Sequence, residues 1–380
     1  MRTVLIVGTG LIGTSIALAL SRSGATVYLD DRDTTAVRTA EALGAGSLET
    51  PPARVDLAVL AVPPAHVGAV LADCQQKGLA RAYTDAASVK ARPHEEIRAA
   101  GGDPATYVGG HPMAGAERSG PLAARADLFE GRPWVLTPSP RTDRAALNQG
   151  LELVSLCGAV PILMDTDAHD EAVALTSHAP HLVSSMMAAR LAEAKGEYIR
   201  VSGQGLRDVT RIAGGEPTLW SDILTANADA VADVLEAYAV DLDRMIRALR
   251  AQRSDEEATR EKATADLEEL LWRGNRGHAR VPDKRSSVPT EFVAVPVAVP
   301  DKTGALAQLF SSVSGAGINI EDVRIEHSLD RPRGLVELLV DAASVPSVRR
   351  LLDENGWAWQ EDLPLVQAPV ADAQGVHRSP

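Results

Sequence analysis

The sequence predicts an α/β protein that begins with a mostly parallel sheet covered by helices. Three observations predict this architecture. Through residues 1–165, short apolar runs alternate with amphipathic segments, which is the pattern of βαβ units. Residues 166–273 carry long Ala-, Leu- and Glu-rich stretches without strand-like runs, so we expect an all-helical domain there. Residues 291–362 return to strands and helices in the order βαββαβ.

The strands of the first domain are expected where short apolar runs end at polar or turn residues. Segments with apolar residues at helical spacing fill the intervals between many of these runs. The predicted strands span residues 3–7, 26–29, 57–62, 82–84, 106–109, 134–136 and 160–163, and two of the predicted helices span residues 34–43 and 67–77.

The helical domain and the segment after it show different patterns. Residues 219–249 indicate one long helix or two, and residues 254–272 indicate a highly charged helix. Ser254 and Glu257 have the spacing of a capping box at the start of that helix. Residues 274–290 are rich in Gly, Pro and Arg and predict a linker.

The C-terminal domain contains one residue that is unusual for its place. Pro296 lies in a predicted strand and removes a donor from the ladder, which indicates a bulge or an edge. Residues 363–380 predict a disordered tail. The predicted strands span residues 292–299, 318–326 and 335–340, and the predicted helices span residues 304–313 and 345–352.

The composition restricts the class of function. The 380 residues include 38 Lys and Arg and 51 Asp and Glu, for a net charge of −13, and 3% of them are aromatic. Such a chain is a poor candidate for binding nucleic acid or anionic membranes. Glycines interrupt the apolar residues 4–20, so we expect neither a signal peptide nor a membrane span. With only Cys74 and Cys157, the chain predicts reduced thiols and a cytoplasmic location.

A glycine-rich loop follows the first predicted strand. Gly8 permits a tight turn, Gly10 lets the backbone approach a pyrophosphate, and Gly13 permits close packing of the next helix. The second strand ends at Asp30, 22 residues after Gly8, where a carboxylate bonds a ribose 2′-hydroxyl and repels a 2′-phosphate. The alternative is a plain glycine turn with a surface aspartate. We expect NAD as the cofactor, held by Gly8, Gly10, Leu11, Ile12, Gly13 and Asp30.

Two further polar segments follow predicted strands, at the edge where open α/β sheets bind ligands. Residues 84–90 include Ser88, and residues 108–117 include His111. A histidine there can take a proton near neutral pH, and Ser88 could bond it or a substrate hydroxyl. The alternative for His111 is a structural histidine held by backbone groups.

A third polar region lies in the helical domain. His178 and His181 could share one helix face, but without Cys ligands or an HExxH pattern we expect no metal site. Each is either a substrate contact or a buried histidine. Farther along, Arg211 is costly to bury unless it meets an anion, either a substrate or a nearby acid such as Asp208.

Nine short motifs then occur in order: VGTGLIGTS, LAVLAVPP, TDAASVK, VGGHPMAGAERSG, LFEGRPWVLTP, TSHAPH, GLRDVTRIA, PDKTGALAQLF and GINIEDV. From about residue 2 to about residue 360, their order and spacing resemble those of prephenate dehydrogenases of tyrosine biosynthesis with a C-terminal ACT-type domain. This resemblance implies a Rossmann domain for NAD, a helical domain for substrate and dimerisation, and an ACT domain that senses an amino acid.

The resemblance also implies roles for individual residues. His111 matches the catalytic histidine that bonds the ring hydroxyl of prephenate, and Ser88 matches a serine that orients both. Arg211 matches an arginine that binds a substrate carboxylate, and His181 a histidine of the substrate pocket. The implied reaction is NAD-dependent oxidative decarboxylation of prephenate to 4-hydroxyphenylpyruvate.

The resemblance places an effector site in the C-terminal domain. Asp301, Gly304 and Asn319 match loops that bind an aromatic amino acid, so L-tyrosine or L-phenylalanine is the expected effector. The alternative is that these residues serve only capping and turns.

Other functions stay open at this point. An arogenate dehydrogenase would share the chemistry, and a non-catalytic NAD and amino-acid sensor would share the domains. A β-hydroxyacid dehydrogenase would need a catalytic lysine, for which only Lys195 is available before the charged helix. No chorismate-mutase-like segment is expected before residue 2 or after residue 360, which favours a single activity.

Overall fold

The computed structural model describes residues 1–115, 118–281, 292–300, 302–320, 322–326 and 333–359. The chain divides into two compact units, Met1–Arg276 and Gly277–Pro380. Asp301, the expected tail at 363–380 and most of the expected linker lie outside the described residues.

Seven strands form the sheet of the first unit. They are β1 (Thr3–Val7), β2 (Thr26–Asp30), β3 (Val55–Leu60), β4 (Ala80–Asp85), β5 (Tyr107–Pro112), β6 (Pro133–Thr137) and β7 (Val160–Leu163). Their order in the sheet is β2-β1-β3-β4-β5-β6-β7. All neighbours are parallel except β5 and β6, which are antiparallel. The chain direction therefore reverses once, next to the strand that carries His111.

Helices cover both faces of this sheet. Val4 and Ile6 of β1 belong to one buried apolar cluster and Leu5 belongs to another, as the alternation of side chains along a strand requires. Burial on both faces explains why the central strands are nearly continuous apolar runs, whereas the edge strand β7 is exposed. The helices are α1 (Leu11–Arg22), α2 (Thr34–Ala42), α3 (Pro64–Gln76), α4 (Ala91–Ala99) and α5 (Arg144–Leu156).

Between residues 166 and 281 the elements are helices joined by short turns and loops. Residues 219–249 contain two helices, because Asn227 leaves the helical conformation between α10 and α11. None of the described helices is long and apolar enough to cross a membrane. The helices are α6 (Thr166–Val173), α7 (Ala179–Ala192), α8 (Gly196–Ile199), α9 (Gln204–Thr210), α10 (Pro217–Ala226), α11 (Ala228–Ala251) and α12 (Glu257–His278).

The bounds of α12 correct two expectations. The helix begins at Glu257, and Ser254 Oγ accepts a hydrogen bond from the backbone N–H of Glu256 instead of forming the expected capping box. The helix also runs to His278, past residue 274 where the linker was expected. Extending an existing helix adds one hydrogen bond per residue, which offsets the cost of about 1 kcal/mol for each of Gly274 and Gly277.

The second unit contains a four-stranded antiparallel sheet and two helices. The elements are β8 (Phe292–Pro300), α13 (Ala305–Gly315), β9 (Asp322–Glu326), β10 (Arg333–Asp341), α14 (Val345–Glu354) and β11 (Ala358–Trp359). This order along the chain is the βαββαβ arrangement expected, and the strands lie in the sheet in the order β11-β8-β10-β9. Pro296 pairs in register with Glu337, so the described ladder has no bulge there. The described part of β11 pairs only with Val297 and Ala298 of β8, beside Pro296.

Candidate active site

The glycine-rich loop joins β1 to α1 at the edge of the sheet where the strand order reverses around β1 and β3. Gly8 has a φ of +99°, and a Cβ there would lie 2.4 Å from the carbonyl oxygen of Ala61. A Cβ on Gly13 would lie 1.9 Å from the carbonyl oxygen of Gly8. Gly10 instead faces open space, because no described atom lies within 4 Å of its Cβ position. Only glycine fits at positions 8 and 13, whereas Gly10 leaves room for a ligand.

The loop forms one wall of a cleft of about 730 Å³. Leu11 and Ile12 begin α1, whose N-terminal amide groups have no side-chain cap. Uncapped amides beside an open glycine fit a diphosphate, because they offer N–H donors and the positive end of the helix dipole. The residues lining the cleft include Gly8, Gly10, Asp30, Asp31 and Arg32.

Two aspartates follow one another at the end of β2. The main-chain oxygen of Asp30 accepts a hydrogen bond from Gly8 N at 2.8 Å, and the Asp30 side chain is exposed. Oδ2 of Asp31 accepts hydrogen bonds from Thr9 N at 2.5 Å and from Thr9 Oγ1 at 2.9 Å. Sequence reasoning selected Asp30 alone, because the spacing of the motif does not separate adjacent acids. The structure adds Asp31 as a carboxylate that touches the loop.

Three side chains form a hydrogen-bonded chain at the carboxyl end of β5. Nδ1 of His111 lies 2.8 Å from Nε2 of His169, which follows it by 58 residues on α6. Nδ1 of His169 lies 2.7 Å from Oδ1 of Asp170. The Asp170 carboxylate also accepts hydrogen bonds from the backbone N–H groups of Lys90 and Ala91, each at 2.8 Å. The sequence predicted His111, but no local pattern indicated that His169 and Asp170 are its partners.

Burial and hydrogen bonds set the protonation states of His111 and Asp170. Burial lowers the pKa of His111 well below its ordinary value, and the proximity of His169 and Lys90 lowers that pKa further. Burial raises the pKa of Asp170, but hydrogen bonds from His169 and two backbone N–H groups outweigh it, so the pKa of Asp170 lies below its ordinary value. At neutral pH His111 is therefore a neutral base and Asp170 is an anion.

A buried ion pair lies beneath the same edge of the sheet. Asp85 at the end of β4 and Lys90 before α4 are both fully buried and in contact. The Asp85 carboxylate also accepts a hydrogen bond from the hydroxyl of Tyr107 at 2.5 Å. Each charge is therefore satisfied inside the protein, as a buried ion pair requires.

Ser88 lies in the loop between β4 and α4 and is half-buried. Among the described residues no hydrogen bond joins Ser88 to His111. The two segments are tied indirectly, because Nζ of Lys90 donates to the main-chain oxygen of Gly110 at 2.7 Å. Lys90 follows Ser88 by two residues and Gly110 directly precedes His111, so the ion pair fixes both loops.

His181 lies in the first turn of α7 and is held by an aromatic stack. Its ring stacks on Trp220 with centroids 3.6 Å apart and planes 10° apart. A Cβ on Gly215 would lie 2.3 Å from Nε1 of Trp220, so the stack depends on a glycine there. Burial lowers the pKa of His181. Sequence reasoning found His181 but not this stack, because Trp220 lies 39 residues farther along the chain.

His178 ends a π-helical turn, Ala174–His178, and is buried. Its Nδ1 lies 3.2 Å from Nδ2 of Asn227, which also donates to the main-chain oxygen of Asp170 at 2.8 Å. Burial lowers the pKa of His178 to about 4. A neutral, hydrogen-bonded histidine matches the structural alternative for this residue.

Arg211 begins the short 3₁₀ turn Arg211–Gly214, and its side chain is exposed. This turn packs against α7, which carries His181. Asp208 accepts a hydrogen bond from Gln204 at 2.8 Å. The structure therefore brings the segments of Arg211 and His181 together.

Of the expected effector residues, Gly304 and Asn319 are described. Gly304 precedes α13 with a φ of +88°, a conformation that favours glycine, and gives that helix no side-chain cap. Asn319 is exposed before β9. In the described part of the chain, no three His, Cys, Asp or Glu residues are arranged to hold a metal ion.

The fold and the site together define a class of protein. A dinucleotide cleft and a neutral, partnered histidine share one edge of a parallel sheet, and a helical region packs against that edge. These are the features of a nicotinamide-dependent dehydrogenase with a helical second domain.

Comparisons with known proteins identify the family. Residues 16–163 match the prephenate dehydrogenase nucleotide-binding domain, and residues 165–261 match the prephenate dehydrogenase dimerization domain. The chain belongs to the prephenate dehydrogenase family. It is 43% identical over 360 residues to "Probable prephenate dehydrogenase NovF" of Streptomyces niveus, covering 94% of this chain and 99% of that protein. It is 29% identical over 352 residues to a prephenate dehydrogenase of Bacillus subtilis, covering 88% and 91%.

Two solved structures are similar to about three quarters of the chain. Prephenate dehydrogenase from A. aeolicus in complex with hydroxyphenyl propionate and NAD+ superposes with a TM-score of 0.62 at 27% identity, covering 73% of this chain and 98% of that one. Arogenate dehydrogenase from Synechocystis gives a TM-score of 0.59 at 27% identity, covering 73% and 99%.

Proposed function

We propose that this protein catalyses the NAD-dependent oxidative decarboxylation of prephenate to 4-hydroxyphenylpyruvate in L-tyrosine biosynthesis. One observation carries the proposal: a neutral histidine, His111, lies at the same sheet edge as a dinucleotide cleft in a member of the prephenate dehydrogenase family. NAD is the cofactor of this chain, and when bound it accepts the hydride that leaves C4 of prephenate.

The residues of the chain position the substrate and take its proton. His111 accepts the proton of the C4 hydroxyl on its Nε2, because its Nδ1 is engaged by His169. Loss of the ring carboxylate as CO2 makes the ring aromatic, which supplies much of the driving force. A positioned base contributes about 10²–10⁴-fold to such a step.

Three more residues complete the proposed pocket. Ser88 orients the C4 hydroxyl, from a loop that the Asp85–Lys90 pair holds in place. Arg211 binds a substrate carboxylate, since guanidinium and carboxylate geometries match. His181, held neutral and flat against Trp220, forms a wall of the pocket.

The assembly and regulation extend the proposal. We assign residues 1–165 to cofactor binding, residues 166–273 to substrate binding and dimerisation, and residues 291–362 to an ACT-type regulatory domain that binds L-tyrosine or L-phenylalanine. A cytoplasmic homodimer is supported by the match to a dimerization domain, by two buried free thiols, and by exposed apolar residues on α11. These residues are Val240, Leu242, Ile246 and Leu249.

The test is NADH formation followed by absorbance, with prephenate and arogenate each supplied with NAD or NADP. We expect turnover with prephenate and NAD, and inhibition when L-tyrosine is added. Turnover with arogenate alone would keep the fold and His111 but change the substrate. Absence of turnover with both substrates would favour an NAD and amino-acid sensor and would refute the proposal.

A further inference from the structure

The contacts of His111 continue past His169 to a carboxylate that the proposed mechanism does not use. We propose that His169 and Asp170 are positioning residues that keep the proton of neutral His111 on Nδ1 and offset the charge that His111 gains. This inference rests on the proposed function, because it assumes that His111 is the base. It assigns a role to two residues outside the catalytic set derived above.

The direction of the hydrogen bonds follows from Asp170. An ionised carboxylate can only accept, and Asp170 already accepts from the backbone N–H groups of Lys90 and Ala91. The contact of 2.7 Å between Asp170 and His169 therefore places a proton on Nδ1 of His169. With this single proton, His169 has a lone pair on Nε2, and Nδ1 of His111 donates to it across the contact of 2.8 Å. Nε2 of His111 is left without a proton, as a base requires.

The proton balance of the step follows the same line. The O–H bond of the substrate breaks and an N–H bond forms at Nε2 of His111, so the imidazole becomes a cation. The C4–H bond breaks as the hydride leaves, the electrons of the broken C–CO2 bond make the substrate ring a phenolate, and Nε2 then returns the proton to that oxygen to give the hydroxyl of the product. While His111 is a cation, the two neighbouring groups stabilise it. Its Nδ1–H points at Nε2 of His169, whose own Nδ1–H points at the anion of Asp170. The positive charge is thus held by two imidazoles and compensated by one buried carboxylate.

The surroundings make this compensation necessary. Lys90 and His178 also lie near His111, and the charge of Lys90, like that of His178 once it is protonated, disfavours a positive charge on His111. The Asp170 carboxylate is the anion at the end of these hydrogen bonds, and Asp170 is one of the residues lining an open cleft of about 600 Å³. The other carboxylates that line this cleft are Asp167, Glu171, Asp229 and Asp233.

Burial and backbone contacts hold the side chains of His169 and Asp170 in place. His169 is 0% exposed and Asp170 is 5% exposed. Asp170 receives the backbone N–H groups at the start of α4, and Asn227 donates to its main-chain oxygen at 2.8 Å. A side chain fixed on several sides keeps one orientation, which is what selecting a single tautomer of His111 needs.

The test compares His169→Phe, His169→Gln and Asp170→Asn with the control Glu171→Gln, which removes one exposed carboxylate from the same cleft. Phe fills the space of His169 but cannot accept the hydrogen bond from Nδ1 of His111, so we expect kcat with prephenate to fall at least about tenfold. Gln keeps an acceptor near the position of Nε2, so kcat should recover part of this loss. Asp170→Asn should move the acid limb of the kcat profile to lower pH, because the His111 cation loses its compensating anion. KM and the NAD dissociation constant should stay within about threefold, and Glu171→Gln should behave as wild type.

A second measurement does not depend on turnover. With ¹⁵N-labelled histidine, and with His111→Asn to assign the signals, neutral His111 should show a protonated Nδ1 and an unprotonated Nε2. In His169→Phe this preference should be lost. A wild-type His111 protonated on Nε2 would overturn the inference. So would His169 variants that lower the melting temperature and raise KM while kcat and its acid limb stay unchanged.

The two proposals can fail separately. If wild type oxidises prephenate and His111→Asn is inactive while His169→Phe is fully active, the positioning role is wrong and the proposed function stands. If wild type does not oxidise prephenate but His111 carries its proton on Nδ1, the proposed function fails and the hydrogen-bond assignment stands.

Discussion

Two groups of ion pairs in the first unit use the same kinds of residue and differ in burial. Asp85 and Lys90 are fully buried under the edge of the sheet that carries His111. Arg244 of α11 bridges Asp266 and Glu269 of α12 at 2.6 and 2.7 Å, and these three side chains are 29–46% exposed. The first group has one charge of each sign, and in the second the guanidinium of Arg244 contacts two carboxylates.

The difference in burial decides what each group does. Removing one partner of a buried pair leaves a charge without water, whereas water replaces the partner of an exposed ion. The buried pair also bonds the backbone at Gly110 and thereby fixes the strand end that presents His111. The number of ion pairs therefore does not predict their effect on stability. Their burial and their contact with the active-site backbone do.

The largest expected effect tests the buried pair. Lys90→Met fills a similar space but leaves Asp85 uncompensated, so we expect the free energy of unfolding to fall by about 3–5 kcal/mol. Urea unfolding followed by circular dichroism measures it. The control is Lys77→Met, which removes an exposed pair with Asp73 and should leave the urea midpoint unchanged within error. A wild-type midpoint for Lys90→Met would show that burial does not separate the two groups.

The next effect is a pH dependence of stability. His178 has a pKa of about 4 in the fold, against an ordinary value of 6.5, so the unfolded chain takes up this proton more readily. Its contribution is fully present above about pH 6.5 and is lost as the pH falls toward 4, by about 3 kcal/mol in total at 1.36 kcal/mol per pKa unit. Urea unfolding at pH 7, 6 and 5 measures this slope. His178→Gln should flatten it, whereas the exposed His66→Gln should not, and equal slopes in all three proteins would contradict the assignment.

His111 lies at the strand end that the buried pair holds in place. His111→Asn should lower kcat with prephenate at least about 100-fold and leave NAD binding unchanged, because a positioned base is lost. Steady-state NADH formation and NAD titration measure the two quantities. His278→Asn, at the exposed end of α12, is the matched control. An unchanged kcat would remove His111 from its role.

Arg211 tests whether an exposed charged side chain can still be important for substrate binding. Its side chain is exposed, as those of the α11–α12 pairs are, yet Arg211→Gln should raise KM for prephenate about 10- to 100-fold, since a lost charged hydrogen bond costs about 1.5–3 kcal/mol. Initial rates over a range of prephenate concentrations measure KM and kcat. Arg207→Gln, one turn earlier on α9, should leave KM unchanged. An effect confined to kcat would contradict a binding role.

Much of the fold could be predicted from the sequence, because its signals are local. Each predicted strand of the first unit overlaps an observed one. The central strands are buried on both faces and are therefore short apolar runs bounded by turns, and the exposed edge strand β7 is also apolar. The antiparallel pairing of β5 and β6 was not predicted in detail, because strand direction depends on the path of the connection. The start and end of α12 were also misplaced, because a capping motif and two glycines are weak signals beside the cooperativity of a long helix.

The site was predicted in part for the same reason. His111 and the glycines lie in motifs that a single segment displays. The contact of His111 with His169 joins residues 58 positions apart, and the stack of His181 on Trp220 joins residues 39 positions apart, so only the tertiary fold reveals them. Asp31 was missed beside Asp30 because two neighbouring acids differ only in the direction of their side chains, which the backbone path decides.

The smallest expected effect completes the comparison. Arg244→Ala removes the two ion pairs that Arg244 makes between α11 and α12, but water can solvate Asp266 and Glu269 after the change, and holding three long side chains in one geometry costs conformational entropy. We expect the urea midpoint to stay within experimental error of wild type.

The dependence of stability on salt provides a further test of the difference between exposed and buried ion pairs. Any residual contribution of Arg244 should vanish in 1 M NaCl, where the Debye length is about 3 Å, whereas the loss in Lys90→Met should persist because salt does not reach the buried Asp85. The measurement is urea unfolding of wild type, Arg244→Ala and Lys90→Met at low and high salt. A large loss in Arg244→Ala that survives high salt would show that the two helices depend on this bridge, and that exposure alone does not make an ion pair unimportant in this protein.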